Sequence, residues 1–128
     1  MTRTKRVLIV EDSKSMAMMI GSMVEEAGYQ CECVHSGEEG LREFASYMPD
    51  LVLLDIEMPG MNGFETLEKM KKDGVMLRHE PPILMLTGMQ ETKDFVKAKQ
   101  IGSADYIVKP VDAAVLTEKL HKFLKYKT

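Results

Sequence analysis

The 128-residue chain lacks the features that mark several whole classes of protein. Its longest uncharged stretches, residues 15–24 and 81–90, are ten residues each. A membrane-spanning helix needs about 20 apolar residues. The opening Met1-Thr2-Arg3-Thr4-Lys5-Arg6 leads into a strand-like run rather than a signal-peptide core, so a cytoplasmic location is expected. There are only two cysteines, Cys31 and Cys33. On a strand they would share a face at roughly 6.5–7 Å between Cα atoms, beyond easy bridging. No further ligands stand at zinc-site spacing. They are expected to be buried or half-buried free thiols in a reducing compartment. No phosphate-binding glycine loop, dinucleotide fingerprint, internal repeat or low-complexity segment is present.

Basic charge is also scarce. Seventeen Lys and Arg face 20 Asp and Glu, a net charge of -3, which argues against a nucleic-acid module that relies on bulk positive charge. The sign is uneven. Residues 1–64 carry 5 basic and 11 acidic side chains, a balance of -6, and residues 65–128 carry 12 and 9, a balance of +3. Either the first half needs carboxylates for chemistry, or the chain has two differently solvated faces. Apolar residues at 45% and charged residues at 29% describe one ordinary globular domain over 1–128, and the start and end are those expected of a stand-alone chain, with a larger protein cut after this domain as the alternative.

What is present is an alternation of short apolar runs and amphipathic helices. Arg6-Val7-Leu8-Ile9-Val10 reads as a strand buried on both faces. Met16, Met19, Ile20, Met23, Val24 and Ala27 form a helical stripe that Gly28 ends. Residues 29–34 read as a second, weaker strand. Ser36 with Glu39 caps a second helix with Leu41, Phe44, Ala45 and Met48 inward, and Pro49 stops it. Leu51-Val52-Leu53-Leu54 is the third strand, ending on Asp55. Asn62 with Glu65 caps a third helix (Phe64, Leu67 and Met70 inward) that Gly74 ends, and residues 75–82 form a connection in which His79 reads as a loop residue. Ile83-Leu84-Met85-Leu86 is the fourth strand, ending on Thr87. A helix over Thr92–Ile101 buries Phe95, Ala98 and Ile101 and stops at Gly102. Tyr106-Ile107-Val108 is the fifth strand. The last helix begins near Asp112 and buries Val115 or Leu116, then Leu120, Phe123 and Leu124, with Lys125 and Lys127 at its negative end. Met16, Met19, Met23, Met48, Met70 and Met85 read as core filling, and Met58, Met61 and Met89 as loop residues able to form an adaptable partner surface.

Five strands alternating with five helices predict an α/β fold, a parallel sheet covered on both faces. Ligands of such sheets bind at the carboxyl ends of the strands. Glu11 and Asp12 come after the first strand, Asp55 after the third, Thr87 after the fourth and Lys109 after the fifth. Any one of these has a plain reading as a solvated loop or helix cap, and Asp12 could cap the first helix. Together they make a site. Three crowded carboxylates repel unless a cation joins them. Hard oxygen ligands suit Mg²⁺, which binds them at ~2.1 Å and keeps several waters. A metal, an ammonium and a hydroxyl around a carboxylate form a pocket for an aspartyl phosphate.

Four stretches, in this order and spacing, resemble the receiver domain of two-component response regulators over nearly the whole chain. They are Val7-Leu8-Ile9-Val10-Glu11-Asp12; Pro49-Asp50-Leu51-Val52-Leu53-Leu54-Asp55-Ile56-Glu57-Met58-Pro59-Gly60-Met61-Asn62-Gly63; Leu86-Thr87-Gly88; and Gly102-Ser103-Ala104-Asp105-Tyr106-Ile107-Val108-Lys109-Pro110. The resemblance implies a flavodoxin-like doubly wound sheet of order 2-1-3-4-5. It implies Asp55 as phospho-acceptor, Thr87 and Lys109 on the phosphoryl oxygens, and the backbone N–H groups of Glu57 and Gly88 assisting. Mg²⁺ would be held by Asp12 and Asp55, by the Glu57 carbonyl, and by Glu11 mostly through water. Pro110 matches a proline preceded by a cis peptide, and Tyr106 matches an aromatic switch that turns inward when Thr87 moves toward the phosphoryl group. The chain departs from the family pattern at Gly88, where Ala or Ser is commoner. Glu57 and Met89 stand at the positions that flank the family's water path.

The resemblance also implies partners: a histidine kinase or phosphotransfer protein as donor, and an output protein on the face of helix four, strand five and helix five. It implies a monomer or a phosphorylation-dependent dimer, with no direct contact to nucleic acid or membrane, and no catalysis beyond its own phosphorylation and dephosphorylation. Other readings fit less well. Aspartate-nucleophile phosphatases usually carry the nucleophile after the first strand with a second Asp two residues on; here it comes after the third, and Glu57 stands second. A flavin phosphate would be repelled by Glu11 and Asp12. The remaining alternatives are an interaction module that keeps the fold without phosphorylation, and the N-terminal part of a larger regulator with an output domain.

Overall fold

Side chains alternate across a strand, so a run such as Val7-Leu8-Ile9-Val10 is apolar throughout only where both faces are covered. The structure, a computed structural model describing residues 3–72, 80–88 and 92–124, meets that demand. Strands β1 (Arg6–Val10), β2 (Gln30–Val34), β3 (Leu51–Asp55), β4 (Ile83–Thr87) and β5 (Asp105–Val108) form one parallel sheet in the order β2-β1-β3-β4-β5. Among the described residues they alternate with α1 (Lys14–Glu26), α2 (Gly37–Tyr47), α3 (Gly63–Lys72), α4 (Thr92–Ile101) and α5 (Ala113–Leu124). Val7, Ile9, Leu53, Leu84 and Ile107 face α1 and α5, where Ile20, Val24, Leu116 and Leu120 meet them. Leu8, Val10, Leu54, Ile83 and Met85 face the other way, onto Phe44 of α2, Leu67 and Met70 of α3, and Ala98 of α4.

The helix ends obey the local signals. Ser36 Oγ accepts from the Glu39 N–H at 3.1 Å. Asn62 and Glu65 exchange two hydrogen bonds of 2.9 Å. Gly28 (φ 103°) and Gly102 (φ 129°) take up the left-handed backbone that ends α1 and α4. Asp112 Oδ1 accepts from the N–H groups of Ala114 and Val115 and so starts α5. For α1 the capping residue is Ser13, whose side chain accepts from Met16 N, and not Asp12.

Several burial expectations are corrected. Met19 is 45% exposed, because the inner face of α1 is centred on Ala17, Ile20, Gly21 and Val24. Ala45 is likewise exposed, and α2 instead buries Gly37, Gly40 and Phe44. A side chain at Gly40 would press on Val10 Cγ2 at 3.1 Å. In both helices small residues let the backbone approach the sheet, and larger apolar neighbours are turned aside. Met58 is buried rather than part of a loop surface, and Met61 is half-buried. Of the two candidates on α5, Leu116 is buried and Val115 is 41% exposed. Gly74, His79, Met89 and residues 125–128 lie outside the described residues.

Asp50 ties the start of β1 to the start of β3. Its carboxylate accepts from Arg6 N at 2.8 Å and from both terminal nitrogens of Arg3, at 2.9 and 3.1 Å. Burial pushes the Asp50 carboxyl up, but Arg3 and the Arg6 N–H outweigh it and hold it below its ordinary 3.8. The stabilisation is therefore complete above about pH 4 and is lost as pH falls through the lowered folded-state value. Asp50→Asn is expected to cost about 1–2 kcal/mol at pH 7, allowing for the exposure of Arg3. The cost should shrink as pH falls below about 4 in urea titrations of both proteins.

Candidate functional site

The strand order reverses between β1 and β3, since the chain leaves β1 for β2 on one side and reaches β3, β4 and β5 on the other. The carboxyl ends of β1 and β3 form the crevice where ligands of such sheets bind. Asp55 is the last residue of β3, and Glu11 and Asp12 come directly after β1. Lys109 comes after β5, and its N–H bonds to the Thr87 carbonyl at 2.8 Å, which carries the ladder one step past the strand. The Lys109–Pro110 peptide is cis.

These residues meet. One carboxylate oxygen from each of Glu11, Asp12 and Asp55 lies within 4.8 Å of the others. Lys109 Nζ stands 2.8 Å from Glu11 Oε1 and 3.0 Å from Asp55 Oδ1. The Glu57 N–H donates to Asp55 Oδ1 at 3.3 Å, and the Ser13 N–H to Glu11 Oε2 at 3.1 Å. Glu11 and Asp55 are buried, while Asp12 is exposed at the rim. Burial, chiefly, raises the Asp55 carboxyl to about 7; Glu11 and Asp12 add to the rise, and Lys109 opposes it. Burial pulls the Lys109 ammonium down, but Glu11 and Asp55 outweigh it and raise it. Three carboxylates against one ammonium leave an excess of negative charge on hard oxygen atoms. That donor set fits a small divalent cation.

The remaining expected residues fall into two places. Thr87 is buried at the end of β4, the strand beside β3, and Gly88 is exposed next to it. A side chain at Gly88 would meet Glu57 Oε1 at 3.8 Å, an ordinary contact, so the glycine is not demanded by space. Tyr106 stands apart from the carboxylates. It pairs with Met85, two residues before Thr87, and its ring, 38% exposed, stacks on Phe95 of α4 with centroids 4.0 Å apart and planes 7° from parallel. By strand alternation Thr87, Met85 and Tyr106 share the sheet face that α4 covers.

Two site residues escaped the sequence reading. His35 stands directly after β2, and its Nδ1 lies 3.0 Å from the Glu11 carbonyl oxygen. A carbonyl only accepts, so Nδ1 carries the proton. The signal that marks the other site residues, a polar side chain at the carboxyl end of a strand, marks His35 as well. Gly63 is the first residue of α3. A Cβ there would strike the Asp55 carbonyl oxygen and come within 2.6 Å of Ile56 Cα, both of them backbone. The helix is seated directly on the end of the strand that carries Asp55.

The sequence profile of the response regulator receiver domain matches residues 7–121. Protein PilH of Pseudomonas aeruginosa is 34% identical over 93% of this chain and 97% of its own length. Transcriptional regulatory protein PcoR of Escherichia coli is 31% identical over 94% of this chain, and the chain spans about half of that relative, 52%. Among solved structures, chemotaxis protein CheY4 of Vibrio cholerae superposes with a TM-score of 0.88 at 30% identity, over 95% of this chain and all of that one. A CheY-like receiver domain protein from Methanospirillum hungatei gives 0.86 at 34%, over 95% and 94%.

Two outcomes are expected from this geometry. With divalent cations chelated, Asp55→Asn should stabilise the fold by about 1–3 kcal/mol at pH 8. A raised carboxyl costs stability wherever the unfolded chain releases the proton that the folded state keeps, so the gain should be absent below about pH 4, grow through the interval up to about 7, and level off above it. Urea unfolding of the two proteins across that range reads the difference. Gly63→Ala should cost about 1–3 kcal/mol in the same assay, because the atoms that must move are main chain.

Proposed function

The chain belongs to the response regulator receiver domain family, and from that premise we propose that a histidine kinase or phosphotransfer protein transfers a phosphoryl group to Asp55 with Mg²⁺ bound beside it. The modification then switches partner binding on the α4–β5–α5 face. The observation that carries the reading is the buried Asp55 carboxylate, held within 4.8 Å of two further carboxylates and 3.0 Å from Lys109 at the open edge of the sheet.

Asp12, Asp55, the Glu57 carbonyl and, mostly through water, Glu11 would hold Mg²⁺, which would supply positive charge against the transferring oxygens. The chain's own groups do the rest. An Asp55 oxygen attacks phosphorus as the bond to the donor breaks, and the donor group leaves with the electron pair. Lys109 moves from pairing two carboxylates to pairing one of them and a phosphoryl oxygen. The Thr87 hydroxyl and the N–H groups of Glu57 and Gly88 donate to the others. The catalysis is confined to this transfer onto Asp55 and its later hydrolysis. The phosphoryl group adds roughly -1.5 to -2 charge at neutral pH. Movement of Thr87 toward it opens space on the sheet face shared with Tyr106, and the Tyr106 ring leaves Phe95 and turns inward. The surface that an output partner reads is thereby changed. The reducing cytoplasm suits this chemistry and the two free thiols, Cys31 and Cys33.

Intact-mass measurement tests the proposal. Incubation with acetyl phosphate and Mg²⁺ is expected to add one phosphoryl group to the wild type and none to Asp55→Asn, and chelation of Mg²⁺ should abolish the gain. Lys109→Ala should retain the fold and lose most of the labelling. A protein that takes no phosphoryl group from acetyl phosphate or from a phosphorylated kinase would be an interaction module that keeps the fold alone. On phosphorylation the ring protons of Phe95 and Tyr106 should lose their mutual ring-current shifts in NMR spectra. Unchanged shifts would remove Tyr106 from the switch.

A further inference from the structure

Strand β2 lies at the edge of the sheet, and Cys31 and Cys33 project from it onto the same side, toward α1. Cys31 Sγ lies 3.7 Å from the Gly21 carbonyl oxygen, and Cys33 Sγ lies 3.5 Å from that of Ala17, one helical turn earlier. Neither Ala17 nor Gly21 has a side chain that could come between the sulfurs. A Cβ built on Gly21 would sit 3.4 Å from Cys31 Sγ and 3.6 Å from Cys33 Sγ, so both sulfurs touch one point on the helix. Both are half-buried, and Glu25 Oε2, 4.0 Å from Cys31 Sγ, makes the open side acidic.

We propose that Cys31 and Cys33 together form a dithiolate site for one soft monovalent metal ion of the copper(I) class, laid along the Ala17–Gly21 face of α1. Softness selects the ion: paired thiolates favour copper(I) over magnesium or calcium, and Glu25 offers one carboxylate at the rim. The ligand count excludes structural zinc, which takes four ligands. Among the described residues, Glu11, Asp12 and Asp55 make the one group of three His, Cys, Asp or Glu ligand atoms close enough for a shared ion, and it lies elsewhere. A disulfide is the poorer fate for this pair, because residues two apart on a strand sit near the upper limit of bridgeable Cα separation. The neighbouring thiol holds the Cys33 thiol down and, with burial, pushes the Cys31 thiol up, so binding must displace a proton from each sulfur. In the binding step two S–H bonds break and their protons pass to solvent, the copper(I) bonds to its chelator break and free the chelator, and two S–Cu bonds form. No electron is transferred.

The test uses the full, reduced, metal-free chain under anaerobic conditions. Copper(I) is delivered from its bicinchoninate complex, and stoichiometry is read by native mass spectrometry. The expected result is one copper per monomer. Cys31→Ser and Cys33→Ser should each weaken binding by about 100-fold or more, beyond the loss typical of a supporting contact around a metal. Single variants that bind like the wild type, one copper bridging two chains, or no uptake from the chelator would each overturn the proposal. A second measurement needs no variant. Phenylarsine oxide condenses with two thiols and releases one water, so the wild type should gain a single bridging phenylarsenic group and lose both free thiols. Absence of that adduct would show that the sulfurs cannot hold one atom between them.

Discussion

The site depends on one ammonium. Lys109 reaches across from β5 and lies against Glu11 of β1 and Asp55 of β3, both almost fully buried. Two carboxylates so placed would repel strongly in a low-dielectric crevice. Lys109 reduces that repulsion without cancelling it, since Asp12 adds a third negative charge at the rim. Burial chiefly raises the Asp55 carboxyl, the residual charge adds to the rise, and the same charge fits the crevice to a divalent cation. A site that balanced its own charges would have no use for a metal or for a phosphoryl group carrying further negative oxygens.

This electrostatic arrangement requires a rigid frame, and small residues supply it. Gly63 lets α3 begin directly against the backbone of Asp55 and Ile56. Gly40 lets α2 press on Val10, the residue before Glu11. Ala17 and Gly21 bring α1 onto β2, and the helix starts two residues after Asp12. The strand ends that carry the acids are thus clamped by helices at close approach. Packing interactions at that range are steep functions of distance, so the carboxylates have little room to relax apart.

The far edge of the sheet is built differently. Tyr106 and Phe95 stack at the surface rather than in the core, and the ring of Tyr106 keeps much of its area in solvent. β5 is the shortest strand, with four residues, and leaves Tyr106 exposed while Ile107 anchors the other face. The charged crevice continues the sheet face of Ile9 and Leu53, and Tyr106 lies on the opposite face, with Met85 and Thr87.

Much of this was legible in the sequence. The alternation of apolar runs and amphipathic stripes determined the α/β class, the five strands and the helix ends, because burial on two faces and capping chemistry are local demands. Polar side chains at the carboxyl ends of apolar strands placed Glu11, Asp12, Asp55, Thr87 and Lys109 at one edge. Other facts were settled by the tertiary structure alone. Met19 and Ala45 are turned outward because glycine and alanine occupy the helix centres, and a missing side chain leaves no mark on a hydropathy pattern. His35 reaches Glu11, Tyr106 stacks on Phe95, and Cys31 and Cys33 converge on Gly21 because sheet register and helix placement set distances between residues far apart in the chain. Local sequence encodes which surfaces must be hidden; only the assembled layers decide which atoms then meet.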